Sequence, residues 1–166
     1  RVKKNMQQCP KTMGILKKIP GVLSASISIL ESETEIKPHR GDTNAIIRAH
    51  FPLKAPIKLP ECGFKVNEEE RSWEEGKLLL FNDAAKHTAW NHSQQRRYVL
   101  LFDVIRPEFI SKKFHVSSLV LSGLLMQTFV QKLPFLNFFP IFFLGTILYS
   151  IAFFLNPLLR AQSINR

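Results

Sequence analysis

The stretch Val22-Leu-Ser-Ala-Ser-Ile-Ser-Ile-Leu30 alternates small polar and apolar side chains over nine residues. Successive side chains of an extended chain point to opposite faces of a sheet, so this period of two predicts a β-strand. Its serine face is typical of a strand whose inner side lines a polar pocket, and equally of a strand whose serines face solvent. One face carries Ser24, Ser26 and Ser28, and the other carries Leu23, Ala25, Ile27 and Ile29.

Similar extended stretches follow along the chain, separated at short intervals by Gly, Pro, Asn and Asp. A short helix, Thr12–Ile19, is predicted before them, with Pro10 near its start and Pro20-Gly21 ending it. Many short strands with such punctuation predict a mainly β fold, a β-sandwich or jelly roll. The further predicted strands lie around Glu35–His39 and at Ala45–Leu53, Gly63–Val66, Lys77–Phe81, His87–Asn91 and Arg97–Ile105.

The composition changes sharply along the chain. Its 166 residues carry a net charge of +10 and are 45% hydrophobic, which excludes disordered, collagen-like and disulfide-stapled classes. No Asp or Glu follows Glu108, and nine of the 14 phenylalanines lie from Phe114 onward. We therefore predict a soluble domain over residues 1–110, lacking its natural N-terminus, and a membrane-associated tail over residues 111–166.

Within the tail, Leu133–Leu155 contains 23 residues and no formal charge. Because a bilayer core needs about 20 helical residues to cross it, we predict a transmembrane helix at about 133–155. The alternative is a core helix of a larger domain. A second apolar stretch at 116–130 is short for a span and could lie at the membrane interface or form one arm of a hairpin.

The distribution of basic residues predicts which partners the chain meets. Lys112 and Lys113 precede the apolar segment, so the positive-inside bias favours a cytoplasmic soluble domain. The sequence has neither a basic helix nor an aromatic-studded basic strand, so no nucleic acid is expected as a partner. It does not indicate an oligomeric state.

Histidines and arginines on predicted strands are the candidates for chemistry. His39 and His87 lie 48 residues apart, each near a strand end, and imidazole is a common ligand for iron, zinc or copper. Arg48 shares a strand face with His50, and Arg97 leads an apolar strand, where a guanidinium must sit at the end or be paired. Since a guanidinium fork suits a carboxylate, a dicarboxylate pocket beside a metal is one interpretation. Surface histidines and solvent-facing arginines are the other.

Several motifs between Cys9 and Glu108 resemble the aspartyl/asparaginyl β-hydroxylase family of iron(II)- and 2-oxoglutarate-dependent dioxygenases. The resemblance implies a double-stranded β-helix of the jelly-roll or cupin type, and an enzyme that uses Fe(II), 2-oxoglutarate and O2. The motifs are Cys9-Pro-Lys-Thr12, His39-Arg-Gly-Asp-Thr-Asn44 with Arg48-Ala-His50, Arg71-Ser-Trp-Glu-Glu-Gly-Lys77, Phe81-Asn-Asp83 with His87, and Arg97 leading to Asp103-Val-Ile-Arg-Pro-Glu108.

The resemblance also implies roles for particular residues. His39 and His87 would hold Fe(II); Arg97 and Ser28 would bind the distal carboxylate of 2-oxoglutarate; Arg48 and His50 would hold its C1 end. The position two residues after the first histidine, often a ligating carboxylate in this wider class, is Gly41. We expect water at the vacant site, with Asp42 turned away. Asp83 is expected to orient an imidazole, and Trp73 to be structural.

Substrate class is predicted from Ile46, which shares a strand face with Arg48. Better-known family members bind a substrate carboxylate with an arginine at this position, and an aliphatic side chain cannot pair a buried carboxylate. We therefore expect Ile46 to line a substrate pocket for a membrane lipid acyl chain, as in the lipid A hydroxylases of the same family. The alternatives are an aspartyl/asparaginyl peptide β-hydroxylase and a catalytically silent, membrane-tethered binding module.

Overall fold

The computed structural model describes residues 6–133 and 141–164, and the chain divides into two compact units, Arg1–Pro107 and Glu108–Arg166. In the first unit, helix α1 (Pro10–Leu16) is followed by eight antiparallel strands. These are β1 (Val22–Leu30), β2 (Thr34–His39), β3 (Ile46–Lys54), β4 (Cys62–Val66), β5 (Glu69–Arg71), β6 (Leu79–Asn82), β7 (His87–Asn91) and β8 (Arg97–Ile105).

The strands form two four-stranded sheets, ordered β1-β8-β3-β6 and β2-β7-β4-β5. Apart from β4 and β5, each strand lies in the opposite sheet from the strand before it, which is the winding of a double-stranded β-helix, or jelly roll. Side chains from both sheets meet in one apolar core, with Trp73 from a connecting loop among them. The predicted fold class is confirmed. The buried members of the core are Leu30, Cys62, Phe64, Trp73, Phe81, Ala89 and Val99.

The serine face of β1 lies toward buried polar groups rather than being uniformly solvated. Ser24 Oγ donates to Asp103 Oδ2 at 2.8 Å, and Ser28 Oγ accepts from Arg97 Nη1 at 3.2 Å. Ser26 is exposed. On the other face, Ile27 and Ile29 are each about half exposed. The polar-pocket interpretation of this strand therefore applies to Ser24 and Ser28.

Some predicted bounds were wrong. The first helix spans Pro10–Leu16 instead of Thr12–Ile19, because proline is well tolerated in a first helical turn, where its missing N–H is not needed. It ends before Gly21, whose φ of +78° suits a residue without a side chain. Strand β5, of three charged residues, carries no alternation and was not predicted.

A 3-10 turn (Pro107–Lys112) crosses the boundary between the two units. The second unit contains helices α2 (Lys113–Lys132) and α3 (Ile141–Ile164), which pack against each other. The predicted span at 133–155 falls partly on residues 134–140, outside the described residues, and α3 continues beyond it. Among the described residues, the helix long and apolar enough to cross a membrane is Pro107–Lys132, whereas Phe143–Pro157 is a shorter apolar helix. The Ser118 and Ser122 hydroxyls donate to backbone carbonyls four residues earlier in α2. These hydrogen bonds within the helix make its surface less polar than its serine content suggests.

Candidate active site

Two imidazoles meet at the ends of neighbouring strands. The antiparallel register of β2 and β7 pairs His39 directly with His87, and their ring centroids lie 4.2 Å apart. His87 is buried, with 5% of its surface exposed, whereas His39 is exposed. A separation of 48 residues in sequence thus becomes a cross-strand contact.

Both imidazoles present the same nitrogen for a ligand. Nδ1 of His39 lies 2.9 Å from the Lys37 carbonyl oxygen, and Nδ1 of His87 lies 2.8 Å from that of Ala85. A carbonyl oxygen only accepts, so in the neutral form of each ring the proton sits on Nδ1 and the lone pair on Nε2. Burial lowers the pKa of His87, which favours the neutral, metal-binding form.

This donor pair suits a divalent transition metal that accepts imidazole nitrogen. Within residues 6–133 and 141–164, no group of three or more His, Cys, Asp or Glu side chains is arranged to hold a metal ion. The protein would therefore supply two ligands, which leaves the remaining coordination positions for small molecules.

Gly41 is packed against a carboxylate. A Cβ atom at this position would lie 1.8 Å from Asp83 Oδ2, and the Gly41 N–H donates to the Asp83 carbonyl oxygen at 2.7 Å. Asp83 Oδ1 lies 4.0 Å from His87 Nε2, too far for a hydrogen bond. The expectation that Asp83 orients an imidazole was therefore wrong, since the Ala85 carbonyl does so.

Replacing Gly41 with alanine is expected to destabilise the sheet unit by about 1–3 kcal/mol, because Asp83 must move to admit the methyl group. Gly14→Ala in α1 is the matched control, as nothing lies within 4 Å of its added Cβ. Tryptophan fluorescence during thermal unfolding reports on this unit alone, since both tryptophans, Trp73 and Trp90, belong to it. Equal midpoints for the two variants would contradict the packing.

Arg97 is a buried cation without a carboxylate partner in the described part of the chain. It is 2% exposed, and its Nη1 donates to Ser28 Oγ at 3.2 Å. Its guanidinium carbon lies 4.3 Å above the Trp73 ring, and its Nε has no hydrogen-bond partner. Burial lowers the pKa of Arg97 to about 10. Because a buried, unpaired charge is costly, this guanidinium is suited to an anionic ligand.

His50 presents the opposite tautomer from the two metal-type histidines. Trp73 Nε1 donates to His50 Nδ1 at 3.2 Å, so the ring proton of a neutral His50 sits on Nε2. Burial, with the charges of Arg97 and Arg48 next, lowers the pKa of His50 to about 3. His50 is thus a neutral hydrogen-bond donor at physiological pH. Trp73 thus contacts both His50 and Arg97, which agrees with the structural role expected of it from the resemblance.

Arg48, unlike Arg97, already has carboxylate partners. Its Nε and Nη2 donate to Asp103 at 2.8 and 3.2 Å, and its Nη1 lies 2.6 Å from Asp83 Oδ1. Sequence reasoning did not identify Asp103 as a site residue. It could have been found as the one carboxylate in the otherwise largely apolar stretch from Tyr98 to Ile105, where a buried charge needs a partner.

Six of the seven predicted site residues line one cavity of about 70 Å³. The seventh, Ile46, is 2% exposed on β3 and is not among the residues described as lining that cavity, so its substrate-pocket role stays a prediction. Phe64, from the apolar core, forms another part of the cavity wall. The six are Ser28, His39, Arg48, His50, His87 and Arg97.

Fold and site together define a jelly-roll protein in which a pair of histidines lies beside a buried arginine. The family model described as aspartyl/asparaginyl beta-hydroxylase matches residues 1–107. The chain belongs to this family.

Curated relatives are named as hydroxylases. The chain is 38% identical over 103 residues to an ornithine lipid ester-linked acyl 2-hydroxylase of Rhizobium tropici, covering 62% of this chain and 37% of that protein. It is 34% identical over 104 residues to the aspartyl/asparaginyl beta-hydroxylase of Homo sapiens, covering 60% of this chain and 14% of that protein. The chain thus spans less than two fifths of the length of these relatives.

Solved structures similar to the chain include a cupin protein from Bacteroides fragilis, with 16% identity and a TM-score of 0.43. That match covers 54% of this chain and 70% of the other. The cupin domain of Schizosaccharomyces pombe Cnp3 has 9% identity and a TM-score of 0.44, covering 58% of this chain and 64% of the other.

Proposed function

We propose that this chain is an Fe(II)- and 2-oxoglutarate-dependent hydroxylase that acts on the acyl chain of a membrane lipid. The observation that carries the proposal is the cavity that two imidazoles share with the buried Arg97, which has no carboxylate partner among the described residues. The imidazoles would be ligands for a ferrous ion, and the Arg97 guanidinium would bind a carboxylate of the diacid cosubstrate.

His39 and His87 would hold the iron through Nε2, since their Nδ1 protons are committed to backbone carbonyls. Arg97 would bind the distal carboxylate of 2-oxoglutarate, with the Ser28 hydroxyl beside it. When bound, iron with 2-oxoglutarate and O2 supplies the oxidation of a C–H bond to C–OH, with succinate and CO2 as coproducts. The apolar wall at Phe64 would exclude water from the cavity.

The C1 end of 2-oxoglutarate would meet His50 and Arg48, as the family resemblance implies. His50 offers an Nε2–H donor, because its Nδ1 accepts from Trp73. Arg48 lines the same cavity, but its Nε and Nη2 donate to Asp103 and its Nη1 pairs with Asp83, so it has fewer N–H groups to offer a ligand. Asp83 and Asp103 together offset the charge of Arg48, so Arg97 is the stronger attraction for an anion.

Trp73→Phe is expected to weaken 2-oxoglutarate binding by about 2- to 13-fold, because it removes the hydrogen bond that fixes the His50 tautomer, typically worth about 0.5–1.5 kcal/mol. Trp90→Phe is the matched control: its indole donates to the Pro60 carbonyl instead and it does not line the cavity. Titration of 2-oxoglutarate in a succinate-forming assay measures the effect. Equal apparent affinities in the two variants would contradict the role of Trp73.

Two features support a lipid rather than a peptide substrate. One helix, Pro107–Lys132, is apolar and long enough to cross a membrane and carries Lys112 and Lys113 near its N-terminal end. The Rhizobium tropici relative is named for an acyl group of a lipid. We further propose that residues 107–164 attach the chain to the inner membrane, with the sheet unit on the cytoplasmic side.

Peptide hydroxylation is the second candidate, favoured by the names of the mammalian relatives. The prediction that Ile46 lines the substrate pocket weighs against it, since an aliphatic side chain there cannot pair with a substrate aspartate. A silent binding module is the third, and turnover alone separates it from either enzyme.

Succinate formation by the full chain with Fe(II), ascorbate and 2-oxoglutarate tests the enzymatic proposal. Mass spectrometry of lipid A and ornithine lipids, from cells with and without the protein, then tests the substrate class. We expect one added oxygen on an acyl chain. An unchanged lipid pattern together with hydroxylated Asp or Asn in a peptide would favour the second candidate, and no turnover with either would favour the third.

A further inference from the structure

A second, larger cavity lies where the two sheets come apart at one side. Strands β5 and β6 are the last strands of their sheets and do not pair with each other. The groove between these two edges has a volume of about 580 Å³. We call it the β5–β6 groove; nothing in the cosubstrate site described above requires it.

The β5–β6 groove has an apolar floor. Phe64 and Phe81 contribute from the core, and Val66 and Leu79 pack against that core from the groove side. Leu78, at the rim, is 50% exposed. Apolar surface of this kind in a concave site gains free energy when an aliphatic ligand displaces water.

The charged residues of the groove neutralise one another. Arg71 pairs with Glu69, and Lys77 Nζ lies 2.7 Å from Glu74 Oε2. Each of these four charges therefore has an opposite partner within the rim. The cosubstrate cavity differs in net charge, because Arg97 has no carboxylate partner among the described residues. The groove, whose charges are paired, suits an uncharged ligand.

The groove runs beside the candidate metal centre. Phe64 lines both the groove and the cosubstrate cavity, and the Phe81 ring centroid lies 5.0 Å from that of His87. Ala85, another groove residue, supplies the carbonyl that holds His87 Nδ1. In the β4–β7 register, Val66 lies opposite His87. An occupant of the groove is thus one side chain away from the metal-binding imidazole.

We propose that the β5–β6 groove binds the aliphatic tail of the substrate acyl chain. This inference rests on the proposed function, which it deepens by naming where the lipid lies and which residues recognise it. A neutral, flexible chain matches the apolar floor, the self-paired rim and the position beside His87. The groove would then select an acyl substrate over a polar peptide.

Photo-crosslinking tests this without requiring turnover. The full chain in nanodiscs is exposed to a phospholipid with a diazirine near the end of one acyl chain, without iron or 2-oxoglutarate. We expect labelled peptides from residues 64–66 and 78–81, and at least fivefold less labelling there after Leu78→Lys. The matched control is Leu53→Lys, at an equally exposed leucine (48%) outside the groove, which should leave labelling unchanged.

Val66→Trp, which fills the groove without adding charge, is a second variant in case Leu78→Lys perturbs folding. The groove assignment would be overturned if labelling were confined to residues 107–164, or if Leu53→Lys reduced labelling of the groove as much as Leu78→Lys. It would also be overturned if a diazirine peptide labelled the groove and the lipid did not. Succinate formation is measured separately. A chain whose groove is labelled but which forms no succinate would contradict the proposed function and still support binding of the acyl tail in the groove.

Discussion

Replacing Arg97 with methionine is expected to raise the 2-oxoglutarate concentration for half-maximal turnover by about a hundredfold or more. Removing one member of a buried, hydrogen-bonded charge pair typically costs about 2–5 kcal/mol of binding free energy. Methionine keeps an unbranched apolar stem over the Trp73 ring but offers no N–H donor. Succinate formation measured across a 2-oxoglutarate series gives the shift.

The adjacent Arg96 is the matched control for this variant. Its guanidinium is exposed and donates to Glu31 at 2.6 Å, so Arg96→Met should leave the 2-oxoglutarate requirement unchanged. Arg97→Met should also unfold at the same or a higher temperature, because it removes an uncompensated buried charge. A large fall in stability with unaltered cosubstrate affinity would mean that Arg97 is structural.

Alanine at either His39 or His87 is expected to abolish metal binding and to lower turnover by at least about a thousandfold. The described site offers two protein ligands and no third, so losing one leaves a single imidazole, which does not retain a divalent ion against water. Equilibrium dialysis with Fe(II) under anaerobic conditions measures the metal, and succinate formation measures the activity.

His92 provides the control for the histidine variants. It lies just beyond β7, it is exposed, and its Nε2 lies 2.8 Å from Glu35 Oε1, so His92→Ala should bind metal normally. Stoichiometric metal in either His39→Ala or His87→Ala would be incompatible with a two-histidine centre.

Local periodicity predicted much of the fold. The bounds of β1, β7 and β8 agree with those predicted: β1 alternates serine with aliphatic residues, β7 alternates buried with half-buried residues, and β8 is a largely apolar run. The three-residue β5 is exposed along its length, so it has no buried face to generate a pattern. Helix α1 lies over the outer face of the β1 sheet, where Leu16 meets Ala49 and Phe102, contacts that no local rule supplies.

The site was predicted from residue chemistry and from the family resemblance, but its pairings depend on register. The contact between His39 and His87 follows from the antiparallel alignment of β2 with β7, which no spacing of 48 residues specifies. The bonds from Arg48 to Asp103 and from Trp73 to His50 likewise join separate elements. The sequence identifies the polar side chains that need partners, but which side chains pair depends on the strand register and the loop connections of the folded sheets.

The central claim is that His39, His87 and Arg97 bind a ferrous ion and a 2-oxo diacid together. Anaerobic titration of the full chain with Fe(II) and 2-oxoglutarate measures this through the visible charge-transfer absorption of the chelated ion. We predict a saturable band at one iron per chain that requires both components, disappears in His87→Ala and needs far more 2-oxoglutarate in Arg97→Met. Absence of the band in the unmodified chain, or an unaltered band in both variants, would contradict the account.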